Sequence, residues 1–192
     1  MQKLTKRILK KNFLAIISDM MILIFGEASS GKSRYAESRL SELSGSPKIY
    51  VATSEVYDAE MMRRVEIHQA MRADKGFLTI ERPRDLGAAK IPAGSSVMIE
   101  SLTAWTANEM FAAEGVKDSG HVVGKILADL SVIRERVNDV VIVADDIFSD
   151  GEEYDSLTEN YVRTLAELLM KIAALADEVT EIFAGMPITY KP

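Results

Sequence analysis

The segment Gly26-Glu27-Ala28-Ser29-Ser30-Gly31-Lys32-Ser33 constrains this chain more than any other. It has the pattern G-x-x-x-x-G-K-[ST], with the apolar run Ile22-Leu23-Ile24-Phe25 directly before it and a helix-compatible stretch directly after. Glycines let the backbone adopt conformations closed to other residues, so that successive N–H groups converge on phosphate oxygens at the positive end of the following helix. Lys32 then supplies positive charge to the β and γ phosphates, and the Ser33 hydroxyl supplies a ligand for Mg²⁺. Such a loop implies an α/β P-loop NTPase domain that takes ATP or GTP.

The rest of the chain has the rhythm this fold requires. Short apolar runs rich in β-branched residues recur at 21–25, 48–52, 97–100, 139–144 and 179–183, separated by segments of helical period at 32–44, 58–73, 103–113, 120–137 and 155–177. Alternation of this kind predicts a mostly parallel sheet with helices on both faces. Strands buried on both faces read as unbroken apolar runs, as Val140-Val141-Ile142-Val143-Ala144 does. The stretch 77–82 fits a short additional strand, and Pro187 confines any strand beyond Gly185 to an edge.

Phosphate chemistry also requires a carboxylate at the end of a neighbouring strand, to orient magnesium or its waters. Two places qualify: Glu100 after Val97-Met98-Ile99, and Asp145 with Asp146 after the run 140–144. In the expected helix 58–73, Arg64, His68 and Arg72 recur every four residues and share one face. Imidazole between guanidinium groups can meet a triphosphate as base or nucleophile. From spacing alone, a solvated face with the arginines paired to Glu60 and Glu66 is the better explanation of the stripe.

Composition narrows the class. With 192 residues, 47% of them hydrophobic, one domain can bury a continuous core, and residues 21–192 are read as that domain. The absence of cysteine excludes disulfides, thiolate metal sites and a cysteine nucleophile, and points to a cytoplasmic setting. A net charge of -6 argues against nucleic acid as a partner. Residues 1–20 are basic and then apolar, but the run Phe13 to Ile17 is too short for a secretory signal or a membrane span. They are read as a dispensable N-terminal extension, although helix-spaced Ile8, Phe13, Ile16 and Ile17 also suit a surface amphipathic helix.

Several further segments resemble the adenosylcobinamide kinase / adenosylcobinamide-phosphate guanylyltransferase family of cobalamin biosynthesis. They are Met21 to Glu37, Tyr50-Val51-Ala52-Thr53 with Asp58 to Met61, Arg64 to His68, Glu81-Arg82-Pro83 with Asp85-Leu86, Glu100 to Trp105 with Asn108, Ala176 to Val179, and Gly185-Met186-Pro187. The resemblance implies a RecA-like P-loop domain assembled as a homotrimer, with a corrinoid (cobinamide) and a nucleoside triphosphate as substrates. It implies that His68 is the residue that carries GMP, with Lys32 and Glu100 also catalytic and Ser33 and Glu100 holding Mg²⁺. The nucleotide site implied comprises Gly26, Glu27, Ala28, Ser29, Ser30, Gly31, Lys32, Ser33, Arg34, Thr53, Ser54, Arg64 and Glu81.

Departures from the family pattern fall in the second half of the chain. The stretch Asp145-Asp146 to Glu152-Glu153 stands where the family has Asn-Glu followed by a glycine and proline loop, and Leu169-Met170 replaces an Asn-Gln pair. Glu27 stands where arginine is common. Clustered carboxylates oppose an approaching polyphosphate. A kinase or NTPase with one activity, and a non-catalytic nucleotide-binding relative, therefore stand beside the bifunctional enzyme as readings.

Overall fold

The computed structural model describes residues 20–55, 63, 74–148 and 154–192. Seven strands form one sheet: β1 (Met21–Gly26), β2 (Lys48–Ala52), β3 (Phe77–Glu81), β4 (Ser96–Glu100), β7 (Asp139–Asp145), β8 (Glu178–Phe183) and β9 (Met186–Lys191). Their spatial order is β3-β2-β4-β7-β1-β8-β9, and every neighbouring pair is parallel except β8 with β9. Among the described residues four α-helices accompany them: α1 (Lys32–Glu42), α2 (Leu102–Met110), α3 (Ser119–Arg134) and α4 (Ser156–Leu175).

The five expected strands form at the expected positions, and both additional strands are present, β3 within 77–82 and β9 at the edge with Pro187 inside it. Alternate residues of β1 feed two cores. Met21 and Leu23 pack with Trp105, Ile126, Leu165 and Leu168 on the face covered by α2, α3 and α4. Ile22 and Ile24 pack with Ala36, Leu40, Met98 and Val141 on the face covered by α1. Burial on both sides is why these strands show no polar alternation.

Caps set the helix limits. The Asp118 carboxylate accepts from His121 N at 3.2 Å to start α3, and the Asp155 carboxylate accepts from Leu157 N and Thr158 N at 2.9 and 2.8 Å to start α4. One helix departs from expectation. The segment expected to be helical over 103–113 leaves the helix at Met110, because Phe111-Ala112 (β5) and Gly115-Val116 (β6) pair as a small hairpin closed by Lys117 N donating to Met110 O. The expected helix 58–73, with Arg64, His68 and Arg72, lies outside the described residues apart from Arg63. Among the described residues, no helix is long and apolar enough to cross a membrane.

Outboard of β1, the described residues cover the face that carries α4 only in part. Glu181 of β8 pairs with Phe25 on one side and Ile188 on the other, which places Ile188 on that face, and Phe183 and Met186 pair one step further along it. Phe183, Met186, Ile188 and Tyr190 are all exposed.

Candidate active site

The strand order brings β4, β7 and β1 side by side, with Glu100, Asp145 and Gly26 each ending its strand at the same edge. Open parallel sheets bind ligands at this carboxyl edge. The phosphate loop bridges the end of β1 and the first turn of α1. Gly31 caps α1 with φ 94°, a left-handed conformation that glycine adopts without strain. At Gly26 the reason is contact: a Cβ there would lie 2.5 Å from the Ile182 carbonyl oxygen and 2.9 Å from Ser30 Oγ.

Two side chains from the loop meet two carboxylates from separate strands. Lys32 is buried, and its Nζ lies 2.7 Å from Asp145 Oδ1 while donating to Glu27 O at 3.0 Å. Ser33 Oγ donates to Glu100 Oε1 at 2.5 Å, and Tyr50 OH donates to Glu100 Oε2 at 2.6 Å. Glu100 is thereby fixed by both oxygens. The pair Ser33 and Glu100 presents hard oxygen atoms of the kind that would hold Mg²⁺. Among the described residues there is no cluster of three or more acidic, His or Cys side chains that could hold a metal ion. In the same loop Ser30 Oγ is buried without a hydrogen-bond partner, close against Gly26.

A supporting layer orients these groups. Thr103 Oγ1 accepts from Asp145 N at 2.8 Å, and Tyr161 OH donates to Thr103 O at 3.0 Å. Burial, and then the negative charge of Asp145, push the Tyr161 phenol up to about 12. Thr53 is fully buried, and its hydroxyl both donates to Ser101 O and accepts from Ser101 N, so its side chain ties the end of β2 to the end of β4. The Glu100–Ser101 peptide is cis. Asn108 Nδ2 donates to Thr53 O at 2.6 Å and to Pro83 O at 3.1 Å, binding the loops after β2 and β3 together. Behind them, Glu109 accepts from Trp105 Nε1 at 3.2 Å and Asp85 N at 2.8 Å. Lys125 Nζ lies 3.3 Å from the same carboxylate and 2.9 Å from Asp85 Oδ1. That hydrogen bond from Lys125 holds the Asp85 carboxyl below its ordinary range.

Of the other residues expected in the nucleotide site, Glu27, Ala28 and Ser29 are exposed on the loop, and Arg34 is exposed on the first turn of α1. Ser54 is exposed just past β2, and Glu81 ends β3 beside Ala52. Arg64 and His68 lie outside the described residues. The sequence offered Glu100 and Asp145 as alternatives for one role, whereas the structure brings both into the site with different partners. Tyr50, Thr103 and Tyr161 carry no site role that the sequence alone assigns, since nothing local separates a tyrosine in an apolar run from one that supports a carboxylate.

A parallel sheet in this order, with a glycine-rich loop whose lysine and serine face strand-end carboxylates, defines a P-loop nucleotide-binding protein. Residues 22–190 match the family model described as cobinamide kinase / cobinamide phosphate guanyltransferase. The chain belongs to that family and is a transferase of its class. It is 32% identical over 175 residues to the bifunctional adenosylcobalamin biosynthesis protein CobP of Pseudomonas aeruginosa, covering 90% of this chain and 98% of the relative. It is 28% identical over 184 residues to the corresponding CobU of Escherichia coli, covering 90% and 100%. Among solved structures, the flagellar accessory protein FlaH from Methanocaldococcus jannaschii superposes with a TM-score of 0.48 at 15% identity, covering 96% of this chain and 84% of that one. The fold assignment rests on strand order and loop geometry.

Proposed function

We propose that this protein carries out two successive transfers to one corrinoid acceptor: it phosphorylates cobinamide and then attaches GMP to the new phosphate. The observation that carries this reading is the pairing of Lys32 and Ser33 with strand-end carboxylates in a loop shaped for phosphate, in a chain that matches the cobinamide family over residues 22–190.

In the first transfer, the loop N–H groups and Lys32 hold the triphosphate of ATP or GTP and stabilise charge on the γ-phosphoryl group. The acceptor hydroxyl oxygen forms a bond to the γ-phosphorus as the bridge to the β-phosphate breaks, and its proton passes to solvent. Ser33 and Glu100 are the residues that would hold Mg²⁺, which when bound neutralises charge on the β and γ oxygens. Gly26 to Gly31 and Arg34 surround the phosphates, with Thr53, Ser54, Arg64 and Glu81 completing the nucleotide site.

In the second transfer, a His68 ring nitrogen attacks the α-phosphorus of GTP and expels pyrophosphate. A phosphate oxygen of the acceptor then displaces the imidazole, forming the P–O–P link. Splitting one displacement into two lowers each barrier. The active unit is a homotrimer.

Incubation with α-labelled GTP tests this reading. The wild type is expected to retain acid-labile, alkali-stable label, and His68→Asn none. Phosphorylated cobinamide from a wild type that takes up no label would reduce the activity to the kinase step, and failure of either transfer in the presence of both substrates would overturn the reading.

A further inference from the structure

Two carboxylates leave the sheet on one face at the phosphate loop. Glu100 pairs in register with Val143, two residues before Asp145, and Val143 packs with Ile24 and Leu40 on the face covered by α1. Residues two apart on a strand share a face, so Glu100 and Asp145 both project on the α1 side. Glu100 is engaged at both oxygens, by Ser33 and by Tyr50. Asp145 instead has Lys32 as its ion-pair partner, at 2.7 Å.

That partner has a second duty. Lys32 is the loop's cation for the β and γ phosphates, and once it takes them up the Asp145 carboxylate stands beside the γ-phosphoryl group. Its backbone is fixed there: Asp145 N donates to Thr103 Oγ1 at 2.8 Å and Asp146 N donates to Gly26 O at 2.8 Å, tying the end of β7 to the start of α2 and the end of β1. Two anions side by side repel unless a proton donor lies between them. The acceptor hydroxyl is the donor that the first transfer brings to the γ-phosphorus, and a base has to lie within hydrogen-bond reach of the proton it takes.

The other carboxylates near this edge are placed differently. Asp146 lies on the opposite face, against Phe25 and Leu169, and accepts from Phe148 N at 3.1 Å. Glu81 ends β3, with β2, β4 and β7 between it and β1, roughly 19 Å away at the ordinary strand spacing. Glu27 is exposed on the loop, where its backbone carbonyl rather than its side chain meets Lys32. Among these groups, Asp145 alone joins a strand-end position on the α1 face to direct contact with the phosphate-binding lysine.

We propose that Asp145 is the proton acceptor of the first transfer, the group through which the hydroxyl proton reaches solvent. The role rests on the phosphorylation of cobinamide proposed above. The acceptor hydroxyl donates to the Asp145 carboxylate, and its oxygen bonds to the γ-phosphorus as the bond from that phosphorus to the bridging oxygen breaks. The electron pair of the broken bond leaves with the nucleoside diphosphate, and the proton moves to Asp145. Asp145 then releases the proton to water and, charged again, recovers Lys32 as the diphosphate departs.

Formation of phosphorylated cobinamide by full-length variants at saturating nucleotide and cobinamide, with nucleotide affinity measured by calorimetry, tests the assignment. Asp145→Asn is expected to lower kcat about 10²-fold while binding nucleotide at least as tightly as the wild type. Asp145→Glu, which keeps a carboxylate, is expected to retain at least about tenfold more of kcat than Asp145→Asn. With Asp145→Ala, added small carboxylates of similar size should restore kcat in order of their basicity, a response that neither a lost counter-charge nor lost packing produces. A kcat for Asp145→Asn within about threefold of wild type, a loss of nucleotide affinity as large as the loss of rate, or rescue indifferent to basicity would overturn the assignment and leave the kinase reading standing. A wild type that makes no phosphorylated cobinamide overturns both.

Discussion

The Lys32 ammonium lies 2.7 Å from Asp145 Oδ1, with Lys32 buried and Asp145 about one-third exposed. The lysine expected to meet phosphate thus already holds a carboxylate, and an arriving triphosphate has to displace it. Asp145→Asn removes that competitor. It is expected to tighten nucleotide binding several-fold, measured by calorimetry, while lowering folding stability by about 1 kcal/mol because the lysine loses its counter-charge at a partly solvated site. Lys32→Ala is expected to reduce phosphoryl transfer by at least about 10²-fold.

Glu100 is held at both oxygens, by Ser33 and by Tyr50. Glu100→Gln keeps the shape but weakens the metal ligand, so phosphoryl transfer is expected to fall about 10²-fold and its Mg²⁺ dependence to move to higher concentration. Tyr50→Phe leaves the carboxylate charge in place and is expected to cost less than about tenfold. Magnesium titrations of the initial rate separate the two.

Gly26→Ala sets a Cβ 2.5 Å from a backbone carbonyl oxygen of β8. Backbone cannot move aside as a flexible side chain can, so a loss of roughly 2–4 kcal/mol is expected, with nucleotide binding lost in whatever protein folds. Thermal denaturation with and without nucleotide measures both effects.

Glu109 is buried and gathers Trp105 Nε1, Asp85 N and Lys125. Glu109→Ala leaves two donors and a cation without this acceptor, and roughly 2–4 kcal/mol of stability is expected to be lost. Trp105 is the only tryptophan, so its emission during urea unfolding reports the change at the site itself.

The raised Tyr161 phenol gives an alkaline signature. Because its folded pKa, about 12, lies above the ordinary value of 10, the folded state holds the proton more tightly. This contribution is complete below about pH 10 and disappears as pH rises toward 12. Tyr161→Phe is expected to flatten the fall of stability across that window, followed by denaturant midpoints at successive pH values.

The sheet was legible because strands buried on both faces, such as 139–145, leave an unbroken apolar signature, and the loop because its glycines and Lys32 have a fixed spacing. Strand ends pointed to Glu100 and Asp145 but could not distribute them between Ser33 and Lys32, since that depends on β7 lying between β4 and β1. The β5–β6 hairpin escaped notice because Phe111-Ala112 continues the apolar period of the helix before it, and its pairing with Gly115-Val116, closed by the bond from Lys117 N to Met110 O, turns the chain back. His68, singled out by resemblance, lies outside the described residues.

The partners of Lys32 and Ser33 arrive on strands formed much later in the chain than the loop itself, and β7 lies directly between the other two strands of the site. No fragment ending before Asp145 can therefore contain a finished phosphate cradle. Affinity for nucleotide becomes a readout of the last central strand taking its place, and a ligand that selects this assembled state stabilises the whole sheet in proportion to its occupancy.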